Sequence, residues 1–438
     1  MYHRPTTRRT AVTGAAALVL GALAARPATA TAATRTGTAR RAGSLVLVGG
    51  SLADDNERIY GEIIRRAGGA RARIGVITAA SVPKSQDPDA GDPDRASNSE
   101  FNGAYYADLF LRHGAAAAEW IPVDLDHIAN ADDDRTVAQA ASMTGFFFGG
   151  GDQFRYVTCL LGGAAHRDSR VLATIRAKLA AGAVVSGSSA GAQIASGPDM
   201  VTGGESWEGL RDGSAAGYFD DATRLGYWRR GGFGFLASGL LDTHTGSYGR
   251  EGRILRLASD TGHDRVYGLE EDTALIVDSP GTSRERVRVL GTNGLTLADL
   301  ATARARQTSD GWTLTGARYS FLTDGDAYDP RTRRVSPGRG KRPLGPRGTG
   351  PVPANPDIFY SVRNPDGRPY SFLGTARALA QSRVQHRATG TTFERNPGFD
   401  VTLTKGRDFA AWTDDNRTAR TLLGLRVDIV PRRTPGAS

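Results

Sequence analysis

The 438-residue chain is 39% hydrophobic, long enough to bury a core without covalent staples, and its single cysteine, Cys159, excludes a disulfide scaffold and thiol-pair chemistry. The formal charge is +9, from 55 Lys and Arg against 46 Asp and Glu. Much of that excess lies in a Pro/Gly-rich run, Arg331 to Arg347, whose lack of interleaved aromatics makes it a solvated loop and argues against a nucleic-acid partner.

At the N-terminus, Thr7-Arg8-Arg9-Thr10 precedes an apolar run from Ala15 to Ala25 and the small residues Ala28-Thr29-Ala30. This is the order of a twin-arginine export signal with an A-x-A cleavage site. The apolar run is too short for a stable membrane span. Residues 1–30 are expected to be the signal, 31–42 a disordered leader, and the protein secreted. Cys159 lies among Val157, Leu160 and Leu161, the setting of a buried structural thiol.

From Gly43 to about Leu300, apolar strands alternate with helical patterns. Strands are expected at residues 44–48, 74–77, 120–123 and 145–148 and from Ala183, with helices at 57–66, 104–112, 136–141, 154–161 and 170–181. Near-continuous apolar strands separated by helices predict an α/β domain, 43–300, with a mostly parallel sheet covered on both faces. After Arg265 the pattern changes to short β segments at 266–269, 274–277, 287–290 and 312–315. A helix at 374–383 and strands at 400–404 and 425–430 follow. Residues 301–438 are read as a mixed, β-rich extension of the same domain, with the basic loop at 331–347.

Function in parallel sheets gathers at the carboxyl ends of strands. Three strands here end in Gly or Ser clusters: Gly49-Gly50, Gly149 to Gly151, and Gly187 to Ser189. The third, Val184-Val185-Ser186-Gly187-Ser188-Ser189-Ala190-Gly191-Ala192, has the form of a nucleophile elbow, which holds a serine Oγ clear of the backbone. Such a hydroxyl needs a base. Of the seven histidines, His244 stands just past an apolar strand ending Leu240-Leu241-Asp242-Thr243, where a general base belongs. Glu205 and Glu208 lie between serine and histidine, and either could orient the imidazole. Gly150 or Gly151 and Ala190 could supply oxyanion N–H donors. Gln153 would open the next helix toward the same pocket.

Gly150-Gly151-Asp152-Gln153, the serine turn, and Asp242-Thr243-His244 followed by Arg250-Glu251-Gly252-Arg253 resemble the cyanophycinases and the related aspartyl dipeptidases. The resemblance runs from about Gly43 to Leu290 and includes Asp272-Thr273-Ala274. It implies a serine peptidase on a flavodoxin-like sheet, similar to class I glutamine amidotransferases. It implies Ser189 as nucleophile and His244 as base, with the acid near Glu205 to Glu208. Gln153, Asp242, Arg250 and Arg253 would then bind substrate. The implied substrate is cyanophycin, a polyaspartate bearing arginine on each side chain, cut to β-Asp-Arg dipeptides. Tyr248 and Thr243 depart from the family's usual arginine and glutamine. The alternatives are an exported aspartyl dipeptidase and a non-catalytic binding protein for such polymers. No cofactor or metal is implied, because there is no H-E-x-x-H and no cysteine cluster. A homodimer is an assembly open to such a chain.

Overall fold

The computed structural model describes residues 42–162, 165–415, 418 and 420–432. The expected export signal, and the leader except Ala42, lie outside the described residues. A nine-stranded sheet begins with Arg334–Ser336, Ala327–Asp329, Arg286–Gly291 and Thr273–Asp278, and continues through Ser44–Val48, Val184–Ser188, Gly145–Phe148, Arg73–Ile77 and Ala117–Trp120. The last five strands are parallel to one another. The first four join them and each other antiparallel. The sheet is therefore mixed rather than mostly parallel. The cause is local, since short β segments joined by turns, with no crossover helix, can only return as antiparallel neighbours.

Alternate residues of the parallel strands feed opposite faces, as the twofold period of a strand requires. Leu45, Leu47, Phe146, Phe148 and Val185 enter one apolar cluster, and Val46, Val48, Phe147 and Val184 another. Helices Glu57–Arg66 and Ser99–Arg112 cover the second face with Ile59, Tyr60, Ile63, Leu109 and Phe110. Helices Gln153–Leu160 and Arg170–Ala180 cover the first with Tyr156, Leu160, Val171, Leu172 and Ile175. Each helix starts at a polar cap whose side chain accepts an N–H of the first turn: Asn56, Asn98, Asp152 and Ser169. Cys159 is buried, and burial pushes its thiol up to about 12, as befits a structural residue.

A second sheet runs Leu240–Thr243, Arg265–Leu269, Leu295–Asp299, Gly311–Leu322, Thr421–Arg432, Gly398–Thr413 and Arg342–Pro343. Its first pair is parallel. Leu295–Asp299 pairs with Gly311–Leu322, so the C-terminal strands complete the same sheet that carries the strand before His244. The described residues form one compact unit. Most of the basic run is exposed, as a solvated segment is, but two of its side chains are paired. Arg333 pairs with Asp299 at 2.8 Å, and the Lys341 amine is buried against Asp326 at 2.7 Å.

Register brings the ends together. Val48 lies opposite Ser188 on one side and Ala274 on the other. In the second sheet Thr243 lies opposite Leu269. The chain then crosses between sheets in three residues, Glu270-Glu271-Asp272. The positions after Ser188, after Thr243 and before Thr273 thus meet at one edge.

Candidate active site

Ser189 begins the short helix Ala190–Gln193 with φ 55° and ψ −119°, a left-handed conformation for a residue with a side chain. The backbone holds it there. Its N–H donates to Val48 O at 3.0 Å, and its carbonyl accepts from Ala192 and Gln193. The turn needs glycine at two crossings. A Cβ on Gly191 would stand 1.9 Å from Phe148 O, and one on Gly187 2.2 Å from Gly191 O. The Ser189 Oγ lies 2.9 Å from His244 Nε2, and His244 Nδ1 lies 2.7 Å from Glu271 Oε1.

His244 also has a positive φ, 53°, and its N–H donates to Gly49 O at 2.9 Å. Gly50 makes room for the ring, since a Cβ there would stand 2.1 Å from imidazole Cε1. Burial lowers the His244 pKa below its usual value. Hydrogen bonding to Glu271 opposes that, and the nearby Arg250 charge adds to it. The imidazole is therefore neutral near pH 7, the form that can accept a proton. The Glu271 carbonyl is fixed by Thr273 Oγ1 and Asn293 Nδ2 at 3.1 and 2.8 Å. Tyr248 stacks on the imidazole, with centroids 4.7 Å apart and planes at 19°. The Arg250 guanidinium in turn stands 4.7 Å from the Tyr248 ring.

Gly150 passes beside Ser189, where an added Cβ would stand 3.5 Å from Ser189 Cβ. Among the described residues no acceptor takes the Gly150 N–H. Gly151 has φ +133°, and Ala80 O blocks its Cβ position at 2.3 Å. Ala190 is buried directly after the serine. Among the described residues no group of three or more His, Cys, Asp or Glu is arranged to hold a metal ion. No described helix is long and apolar enough to cross a membrane.

The peptidase family S51 pattern matches residues 96–283, a span that contains Ser189, His244 and Glu271. Over that segment the chain is similar to peptidase family S51. It is accordingly a serine-type peptidase. A cyanophycinase of Synechococcus elongatus is 28% identical over 302 residues, covering 67% of this chain and 81% of the relative. A cyanophycinase of Nostoc sp. is 26% identical over 262 residues, covering 58% and 73%. The crystal structure of a peptidase from an acI-B1 Actinobacterium is 18% identical, with a TM-score of 0.43, covering 66% of this chain and 98% of that one.

Several residues singled out in the sequence stand elsewhere in this chain. Neither Glu205 nor Glu208 reaches His244. Glu208 pairs with Arg363, and Glu205 lies in the same cleft. Their place between serine and histidine in the chain was misleading, because the acid comes from the crossover after the histidine strand's neighbour. Asp242 and Arg253 do not face a substrate. They form a buried two-pronged ion pair, Nε–Oδ2 2.9 Å and Nη2–Oδ1 2.7 Å, and Arg253 spends Nη1 on Gly204 O. A planar guanidinium fits a carboxylate in this manner, and burial locks it. Gln153 donates its amide to Val201 O at 2.8 Å, leaving its oxygen toward other partners. Arg250 donates Nη1 to Thr243 O, while its Nε is buried without a partner. Burial and the Arg253 charge lower its pKa to about 10. Glu271 was missed. Its signal was a Glu-Glu pair between the apolar strand ending at Leu269 and the Asp272-Thr273-Ala274 stretch.

Proposed function

We propose that the chain is a secreted exopeptidase that hydrolyses cyanophycin, or a closely related Asp/Arg polymer, to β-Asp-Arg dipeptides. The observation that carries the catalytic part is the continuous line from Ser189 Oγ through His244 to Glu271. Ser189 Oγ attacks the peptide carbonyl while His244 Nε2 takes its proton. Glu271 holds Nδ1–H in place and stabilises the imidazolium that forms. The N–H groups of Gly150 and Ala190 bind the oxyanion. His244 then gives its proton to the leaving amine. Water, deprotonated by the same imidazole, cleaves the acyl-enzyme and frees Ser189.

The substrate part is supported by the cyanophycinase relatives. It is also supported by the charge of Arg250, which stands behind the Tyr248 ring stacked on His244 and suits a substrate carboxylate. Export is supported by Arg8-Arg9, the apolar run and Ala28-Thr29-Ala30. We read the fold as flavodoxin-like at its centre. Four parallel strands, taken in chain order from Arg73–Ile77, follow the sheet order 2-1-3-4, and the chain's first strand fills the fifth place.

Ser189→Ala is expected to lower kcat on cyanophycin by on the order of a millionfold, with an unchanged thermal melt. Mass analysis of the products checks the dipeptide. Turnover retained in that variant would remove Ser189 from the reaction. Tyr248, stacked on His244 where the family commonly has arginine, favours the aspartyl dipeptidase as the second reading. Faster cleavage of free Asp-X dipeptides than of the polymer would select it.

A further inference from the structure

Glu271 carries the charge on His244, yet its own side chain is held by little else. Among the described residues its carboxylate has one hydrogen bond, to His244 Nδ1, and the side chain is 24% exposed. No other side chain fixes the angle at which it meets the imidazole. That angle is set by the main chain of the crossover Glu270-Glu271-Asp272.

The crossover is clasped by the turn at residues 291–294, which joins the strands Arg286–Gly291 and Leu295–Asp299. Before Glu271, Gly294 O accepts from Glu270 N at 3.1 Å. After it, Asp272 O accepts from Thr292 N at 3.0 Å, and Asp272 Oδ2 from Thr292 Oγ1 at 2.8 Å. The approach is close, for a Cβ on Gly291 would stand 2.5 Å from Asp272 O. Between these two holds lies the Glu271 carbonyl. It accepts from Asn293 Nδ2 at 2.8 Å and from Thr273 Oγ1 at 3.1 Å. Asn293 N donates to that same Thr273 Oγ1 at 2.9 Å, which leaves the hydroxyl proton for the carbonyl. Asn293 thus bears on the Glu271 carbonyl twice, through its amide and through Thr273. A peptide unit is planar, so fixing the carbonyl fixes ψ at Glu271 and with it the direction in which the side chain leaves.

We propose that Asn293 is a positioning residue for the acid, its side-chain amide aiming the Glu271 carboxylate at His244 Nδ1 by holding the Glu271 carbonyl. The proposal rests on the peptidase reading above. It gives a part in the reaction to a turn that lies beyond the segment matched to family S51. Asn293 acts through Glu271, since it bonds to neither Ser189 nor His244. A neutral amide suits the task. A lysine or arginine at this place would bring a charge that competes with the imidazole for the carboxylate.

The test reads His244 itself, so that it stands apart from turnover. Full-length protein carrying histidine labelled with carbon-13 at Cε1 is titrated by NMR, with His244→Gln assigning the signal. The hydrogen bond from Glu271 raises the His244 pKa against burial. Asn293→Ala frees the carboxylate to swing away, so the midpoint is expected to fall by at least about half a pH unit. Arg250 and Asp242 are the other charges that face His244, and neither bonds to Asn293. The same variant is expected to lower kcat roughly tenfold to a hundredfold with KM unchanged, and to move the acid limb of the rate profile to lower pH. Should Asn293→Ala not fold, Asn293→Leu, similar in size but without a donor, decides. A midpoint unmoved or raised overturns the proposal even where kcat or the melt has fallen, for that is the mark of a merely structural role. No turnover by the wild-type protein would sink the peptidase reading, and the titration would still decide the role of Asn293.

Discussion

Beneath Ser189 the first sheet buries hydrocarbon: Leu47, Phe148 and Val185 all lie in one apolar cluster. Beneath His244 the second sheet, the helix Glu251–Thr261 and the crossover bury ionisable side chains, with Asp242, Glu251, Arg253 and Glu270 all withdrawn from solvent. The serine is held by backbone hydrogen bonds and glycine crossings, which do not titrate. The histidine is held by ionisable groups and their partners. The contrast teaches that one half of the site is set by shape and the other by charge. Acidity and charge-removing substitutions should therefore act through the second sheet, and added volume through the first.

After loss of the nucleophile itself, the largest effect is expected where the two sheets are joined. Glu271→Gln keeps the shape of the crossover but supplies an amide to Nδ1 and removes the charge that stabilises imidazolium. A loss in kcat of roughly 10⁴-fold is expected, with an unchanged melt. A kcat within tenfold of wild type would mean that the acid on His244 does not contribute as a charge.

Much of this arrangement was legible in the sequence, for reasons that also explain the failures. The elbow at Gly187 to Gly191 announces itself because steric crossings admit only small residues, and those are local. His244 was found by its place past a strand end. Glu271 was not, because the pairing of Thr243 with Leu269 is a long-range register that no local pattern encodes. Arg253 and Asp242 read as substrate groups in the sequence because a carboxylate and a guanidinium eleven residues apart look alike whether they bind a ligand or each other. Only burial tells the cases apart. The antiparallel edge of the first sheet was visible as short β segments, but its partner strand was not.

The buried pair Asp242–Arg253 sharpens the comparison through stability. Asp242→Asn leaves the Arg253 guanidinium buried against a neutral partner. A loss of about 3–5 kcal/mol is expected in urea unfolding. The first-sheet counterpart is Ser186→Ala, which removes one neutral hydrogen bond, Ser186 Oγ to Phe146 O at 2.7 Å. That change is expected to cost about 1 kcal/mol. Similar losses for the two would erase the distinction between a sheet set by charge and one set by shape.

Acidity should separate the sheets more gently. Burial, with the nearby Asp242 charge adding, raises the Glu251 pKa from 4.5 to about 8, and Glu270 beside it is raised as well. Below about pH 4.5 the folded and unfolded chains both keep the Glu251 proton. Between about 4.5 and 8 the unfolded chain has lost it and the folded chain has not. Stability contributed through this group therefore falls as pH rises across that window, by at most about 1.4 kcal/mol per pH unit. Glu251→Gln should flatten that slope in denaturation curves taken from pH 5 to pH 8. An equally steep slope in the variant would assign the dependence to other groups.

The smallest effect expected is at Tyr248, where the comparison narrows to one ring. Tyr248 is half exposed, yet it covers the imidazole face to face. Ring contacts of this kind contribute about 0.5–1.5 kcal/mol, or roughly two- to twelvefold in kcat/KM. Tyr248→Ala should also admit water to His244, weakening the burial that lowers its pKa. The base must be neutral to take the serine proton, so a higher histidine pKa moves the acid limb of the pH–rate profile toward pH 6.5. Tyr248→Phe keeps the ring and should keep the limb where it is. If Tyr248→Ala lowers kcat/KM without moving the limb, the ring contacts substrate instead of shielding the base. The histidine's lowered pKa would then belong wholly to the charges and burial of the second sheet.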